Sequence, residues 1–546
     1  MAETNATVQK AIDSAIQRVA GIPILTSSAY SLDPDNLLDP SICPEMISQP
    51  ARLKGLGLRR LDVFVSEAAY VGGWELVTRR LINWKVEDGS THQGLYPLLE
   101  PLLGAGSQDF DSKDQRFAKF TDGSSTLGTY FRQAFDDLVQ RCPDAETGPL
   151  SLTVAATRPV SYSNPKMQGD ITRQVENAQA KSLAARFEAL GKRDRRRISY
   201  QNRSPSTMAC FATPPTKSSQ VPQYLYTGLV ALVTGALDPK VVAAQGMRIG
   251  DTNLRVDLHG DALGTAVLPG DRWRRSHDAW KNLIGLDAKF LGVEVQKEPY
   301  GLFARFMDPA SRAAFNRLTA KEKKTQSIVP DLLFNNHPEG SVIQANGAQM
   351  WEIKRIQAVT SFNRTTGRPS GPNDYYRQRR SGPFVKGADR RVVSIPSEYE
   401  AKARKADRLF GAPGSSAVLT ALRDMPQVQG IALGAFGEFS TSVDLLIEGL
   451  AHEGALKNPD KFGQKNYKAA FGQIHWWLKR RWARLAVITA VESRYEALGY
   501  TGGNAQRQAA ATHTQAQAQD DWREENAFRQ RAAEAAAPFL GGFGWD

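Results

Sequence analysis

Ile328-Val329-Pro330-Asp331-Leu332-Leu333-Phe334 and Met350-Trp351-Glu352-Ile353-Lys354-Arg355-Ile356, in which the acid Glu352 follows the acid Asp331 by 21 positions, are the stretches whose reading decides the fold. Each is a short apolar run of strand character bounded by polar, turn-forming residues. In the second, period-two alternation sets Trp351 and Ile353 on one side and Glu352 and Lys354 on the other. In the first, a single acid follows a proline. The turn region 335–347 lets the two strands pair and brings Asp331 beside Glu352.

Those side chains suit one kind of chemistry. Cleaving a phosphodiester calls for a hard cation that polarises the phosphate and activates water, and carboxylate oxygens are the ligands Mg²⁺ or Mn²⁺ takes. Asp331 and Glu352 are the expected metal ligands, with the Ile353 carbonyl as a third, and Lys354 orients the water and offsets phosphate charge. As bare patterns these are common: Pro-Asp recurs at 34–35, 143–144 and 459–460, and Glu-x-Lys at 322–324 and 400–402. Context selects among them. Glu352 lies in an apolar strand with an apolar Pro-Asp strand before it and a helix after it. The competing reading is an edge strand carrying a solvated Glu–Lys pair, worth little energetically.

Working outward, the spacing predicts a helix over 277–291, one or two strands over 293–306, and a helix over 308–321 capped by Asp308 and Pro309. Strands follow at 327–334 and 349–359, a helix at 397–410, and a strand at 428–439 that enters another helix. This order predicts an α/β (α+β) fold: a mixed-sheet core at 216–445 whose last strand is reached by a crossover. It is flanked by a mostly helical N-terminal region, 1–215, and a helical, basic and aromatic region, 446–500. An Ala- and Gln-rich tail, 501–546, reads as frayed helix or disorder. In the N-terminal region the best helices are 61–84 and 123–142. Residues 149–160 have strand character, 169–190 is helical, and the Pro-, Ser- and Thr-rich 204–221 reads as a linker.

Composition narrows the partner. Lys and Arg number 69 against 57 Asp and Glu, a net charge of +12 and a pI near 9.4, which favours a polyanion. The segment 363–391 carries Arg364, Arg368, Arg377, Arg379 and Arg380 with Tyr375 and Tyr376 among Gly and Pro, suited to backbone contact and base stacking on DNA or RNA. Lys402, Lys479, Arg480 and Arg481 are further candidate phosphate contacts, whereas Trp476, Trp477 and Trp482 fit a core better. The run Lys192, Arg193, Arg195, Arg196 and Arg197 fits a nuclear-import signal, a phosphate patch or a solvated helix end. His337 and His475 have no partners at metal-ligand spacing.

Residues 1–21 contain no unbroken apolar h-region, and the longest apolar run, 224–237, is too short to span a bilayer, so no membrane segment is expected. Cys43, Cys142 and Cys210 are far apart, which argues against a zinc module or a disulfide framework and for an intracellular setting, the nucleus included. There is no GxGxxG after a strand, no P-loop and no GxSxG elbow.

The segment from His277 to Glu438 resembles the PD-(D/E)XK, or restriction-endonuclease-like, superfamily. The matching residues are Val329-Pro330-Asp331, Trp351-Glu352-Ile353-Lys354, the helix from Glu398 to Asp407 and the strand from Gly430 to Glu438. The resemblance implies a Mg²⁺-dependent DNA endonuclease with Asp331, Glu352 and Lys354 as its catalytic residues. It also implies a further acid on or near the helix before the first strand, where Asp278, Asp287 and Glu294 all stand. Gln49 to Arg60, followed by Ala68-Ala69-Tyr70, is similar to the connector after the polymerase domain of non-LTR-type retroelement proteins, which would make the chain a mobile-element product. No polymerase Tyr-x-Asp-Asp loop is present, and Phe135-Asp136-Asp137 reads as a surface acid pair. The rival expectation is an inactive nucleic-acid-binding or scaffold protein on the same fold.

Overall fold

The computed structural model describes residues 2–50, 53–58, 129, 133–134, 136, 167–191, 194–212, 221–266, 272–335, 348–356, 385–412, 414–459, 462, 466–500, 518–520, 522–527 and 530–531. The chain divides into two units, one of residues 1–19, 25–27 and 38–190, the other of residues 20–24, 28–37 and 191–546. The first contains α1 (Ala2–Ala20), α2 (Ile42–Ser48) and α3 (Met167–Ala189). In it Arg186 of α3 reaches Ser41 at 3.0 Å and ion-pairs with Glu45 of α2. The expected helix 61–84 and strand 149–160 lie outside the described residues, as does nearly all of 123–142.

The second unit is built from α4 (Arg195–Asn202), α5 (Gln223–Thr234), α6 (Arg272–Phe290), α7 (Pro309–Asn316), α8 (Ala320–Gln326), α9 (Val385–Val393), α10 (Ile395–Phe410), α11 (Ala417–Asp424), α12 (Thr441–Lys457) and α13 (Tyr467–Ala497). Among them runs one four-stranded mixed sheet, β1 (Glu294–Lys297), β2 (Leu332–Asn335), β3 (Gln349–Arg355) and β4 (Gln429–Leu433), in spatial order β1-β2-β3-β4. The first two pairings are antiparallel and β3–β4 is parallel, so the chain returns through α10, since a parallel neighbour requires a crossover.

Strands β2, β3 and β4 are buried on both faces, whereas the edge strand β1 buries only Val295. Val295, Leu332, Phe334, Trp351 and Ile353 pack with Trp280, Leu283 and Ile284 of α6 and with the apolar sides of α12 and α13. Leu333 and Met350 pack on the opposite face with Ile395, Tyr399, Ala403 and Ala406, the buried stripe of α10. These four recur at helical spacing, which explains why 395–410 is helical and which side it turns to the sheet. Gly430 seats it: a Cβ there would come within 2.1 Å of Ile395 Cδ1, so β4 must be glycine at this point for α10 to lie so close.

Several expected features take a different form. The helix expected at 308–321 is two: Asp308 caps α7 by accepting from the amides of Ala310 and Ser311, and Thr319 starts α8 with a capping box to Glu322. Residues 204–221 do not begin as a linker. The helical turn Pro205–Met208 is buried, and Thr207 donates to the Gly437 carbonyl at 2.7 Å. Arg195 and Arg196 are buried too, paired with Asp261 and Asp194, so they present no basic patch. The tail is not wholly frayed, because Trp522 is buried edge-on against Phe462 and Trp477 at 4.8 and 5.7 Å. Trp477 and Trp482 are core residues, whereas Trp476 is 47% exposed. Among the described residues no helix is long and apolar enough to cross a membrane.

Candidate active site

Pro330 brings the chain to β2 buried and with no amide proton to satisfy, and Asp331 follows at the mouth of the strand. The last β2–β3 pair is Leu332 with Trp351, so β3 runs on past its partner. There the Ile353 N–H donates to Asp331 Oδ2 at 2.8 Å, a side chain taking the place of a strand. The Ile353 carbonyl points to the same edge as that N–H, as strand geometry requires.

Alternation carries Glu352 and Lys354 to the α10 face of β3 together with Met350. Lys354 Nζ donates to Glu352 Oε1 at 2.5 Å, and the buried Tyr399 hydroxyl of α10 donates to Glu352 Oε2 at 2.6 Å. Burial and the Glu352 carboxylate push the Tyr399 phenol well above its usual range, so it remains a donor. Lys402, one turn on, lies with its ammonium 4.6 Å from the Tyr399 ring centroid. Burial lowers the Lys402 ammonium; Lys354 and Lys324 push the same way, while Glu352 and Asp331 oppose them.

Asp331 is 1% exposed and, besides the Ile353 amide, is approached by His277 Nε2 at 3.0 Å and Lys324 Nζ at 3.2 Å. Burial by itself would raise its carboxyl; these donors reverse the sign and hold it well below the ordinary carboxylate range. Behind it stands a relay of charges. Lys324 also donates to Glu298 Oε1 at 2.9 Å, Lys281 joins Glu298 to Asp278 at 2.8 and 2.7 Å, and the Tyr300 hydroxyl closes on Glu298 Oε2 at 2.5 Å.

The structure thus brings Asp331, Glu352, Ile353, Lys354 and Lys402 together on one sheet face and its edge. Of the three acids left open by sequence, Asp278 joins the network through Lys281. Asp287 does not: it is fully buried in the opposite layer, accepting from Arg481 Nε at 3.1 Å and Trp482 Nε1 at 2.8 Å. Glu294 is exposed and pairs in register with Asn335, at the far end of β2 from Asp331. Arg480 is buried against Glu525, Arg481 against Asp287, and Lys479 ion-pairs with Asp444 at 3.3 Å, so the first two do not face a ligand. Arg364, Arg368, Tyr375, Tyr376, Arg377, Arg379, Arg380 and His337 lie outside the described residues. His277, Lys324, Glu298 and Tyr399 were not anticipated, although Lys324 closes one of the other Glu-x-Lys occurrences, 322–324.

A hard divalent ion would find two carboxylates and a backbone carbonyl edge here, oxygen donors of the type Mg²⁺ prefers, with the balance left to water and phosphate. Among the described residues no group of three or more His, Cys, Asp or Glu side chains is arranged around a metal position. The donor chemistry fits an ion bound partly by substrate rather than one caged by protein. No family model, curated protein or solved structure matches this chain.

Proposed function

We propose that the second unit is a metal-dependent endonuclease that nicks or cuts DNA, with Mg²⁺ or Mn²⁺ as cofactor, in a protein encoded by a mobile element. The observation that carries this reading is the convergence of Asp331 and Glu352, buried on adjacent strands, with Lys354 on the same face as Glu352. Asp331, Glu352 and the Ile353 carbonyl would hold the ion, which when bound supplies Lewis-acid polarisation of the phosphate and an activated water. Lys354 orients that water and neutralises charge on the phosphate, and Tyr399 fixes the Glu352 carboxylate. Lys402 and the basic segment 363–391 would hold the strand.

One observation favours the second reading, a binding protein without activity: each carboxylate already has partners within the protein, Asp331 the His277 ring and the Lys324 ammonium, and Glu352 the Lys354 ammonium. Supercoiled plasmid incubated with the protein in Mg²⁺ or in EDTA separates the two. Nicking that needs Mg²⁺ and disappears in Asp331→Ala and Lys354→Ala supports the nuclease. Nicking that survives both substitutions overturns the site, and binding that falls steeply with salt in the absence of nicking supports the binding protein.

A further inference from the structure

Lys324, like Lys402, is a cation of this site that no strand pattern supplies. It comes from α8, a helix held against α10 by Lys405, whose ammonium donates to the Thr325 carbonyl at 2.9 Å. Its Nζ lies 2.9 Å from Glu298 Oε1 and 3.2 Å from Asp331 Oδ1. An ammonium has three donors. Two are used among the described residues, and the side chain is 38% exposed, which leaves the ammonium accessible to an arriving phosphate.

Glu298 is held in place at a conformational cost. Its φ of +46° is left-handed, a region a glutamate rarely adopts because Cβ crowds the following carbonyl. Three donors fix the side chain, Lys281, Lys324 and the Tyr300 hydroxyl, while its amide donates to the Asp331 carbonyl at 3.1 Å. Backbone and side chain together tie Glu298 to the acid at the mouth of β2.

We propose that Lys324 contacts a backbone phosphate of DNA bound at this face, and that Glu298 is the positioning residue that aims it. The inference rests on reading this face as a phosphodiester site, and it assigns the Asp331 side of that site a second phosphate contact opposite Lys354. Lys323 is the internal control: it stands next to Lys324 on α8 but turns to the Asn316 carbonyl and the Phe315 ring.

The test measures binding of a short DNA duplex to the full chain by fluorescence anisotropy over a series of salt concentrations, together with plasmid nicking. A lost phosphate contact lowers the slope of log affinity against log salt by about 0.9. Lys324→Met should show that loss, with Lys323→Met unchanged and Lys324→Arg retaining the wild-type slope. Glu298→Gln should reproduce the loss, and adding it to Lys324→Met should lower the slope no further. Each variant is compared at matched thermal stability, and the Arg variant carries the test should the Met variant fold poorly.

An unchanged slope in Lys324→Met overturns the phosphate contact. A wild-type slope in Glu298→Gln overturns the positioning role. If the wild type nicks and Asp331→Ala does not, while Lys324→Met binds like wild type, this inference falls and the nuclease stands. If nothing nicks but Lys324→Met still lowers the slope, the nuclease falls and the phosphate contact stands.

Discussion

Tyr399→Phe removes one oxygen atom from the middle of the site and leaves no cavity behind. The hydroxyl it removes donates to Glu352 Oε2 at 2.6 Å, with Tyr399 1% and Glu352 4% exposed. Glu352 would retain Lys354 on its other oxygen but face an apolar ring edge on this one. A hydrogen bond to a charged acceptor contributes about 1.5–3 kcal/mol net, and little water can reach so buried an oxygen, so we expect a destabilisation of about 2 kcal/mol. With a urea slope of about 1–3 kcal/mol per molar, that is a fall in the unfolding midpoint of roughly 1 M. The assay is urea unfolding followed by tryptophan fluorescence, with Trp351 and Trp280 as buried reporters near the site. The loss should be the same at neutral and mildly alkaline pH, because the phenol is pushed upward and remains protonated. Tyr300→Phe is the comparison: its 2.5 Å bond ends on Glu298, which still has Lys281 and Lys324, so the change should be well under half as large. A Tyr399→Phe midpoint indistinguishable from wild type would refute the claim that this hydroxyl fixes the Glu352 carboxylate.

Asp287→Ala should unfold far more readily, by about 3–5 kcal/mol, because it strands a buried Arg481; the rate of DNA nicking per folded molecule should hold, and lost nicking at full stability would return Asp287 to the active site. Acid should weaken the second unit through Asp331 and Glu298, whose carboxyls are held below their usual values, Glu298 at about 2. Depressed acids stabilise above their unfolded pKa, so the urea midpoint should be flat near neutrality and fall from about pH 4.5 downward, less steeply in Glu298→Gln. An identical acid profile in that variant would contradict the network. Trp522→Ala should cost about 3–5 kcal/mol, since the ring packs on Phe462 and Trp477; an unshifted midpoint would mean that the tail does not seat.

The strands were legible because their apolar runs are short and interrupted by charge in the right phase. Their limits were not. The stretch expected to be strand from Ser327 begins pairing only at Leu332, because Pro330 has no amide to give and Asp331 uses its side chain, rather than its backbone, to meet Ile353. The break between α7 and α8 was written in the sequence as Thr319-x-x-Glu322, a capping box that the longer helical period concealed. Arg480 and Arg481 misled for the opposite reason: charge implies solvent, yet each is buried against an acid distant in the chain, Glu525 and Asp287. Nothing local announces a partner so far away.

The same limit explains which half of the site was visible. A strand offers one face only every second residue, at about 6.6 Å intervals, so β3 can place Glu352 and Lys354 side by side while its next residue on that face, Met350, is core. Any further cation must come from helices laid across the sheet. Lys324 and Lys402 do so, each from a Glu-x-Lys match that lies in a helix and therefore fails as a strand motif. Their shared spacing with Glu352 and Lys354 is coincidence; their convergence is not, since α8 and α10 are clipped together through Lys405 and Thr325, with Lys324 on Asp331 and Lys402 over the Tyr399 ring. A site whose carboxylates come from strands and whose cations come partly from covering helices shows its strand half most readily to a reader of sequence, and of the helix half only Lys402 was named.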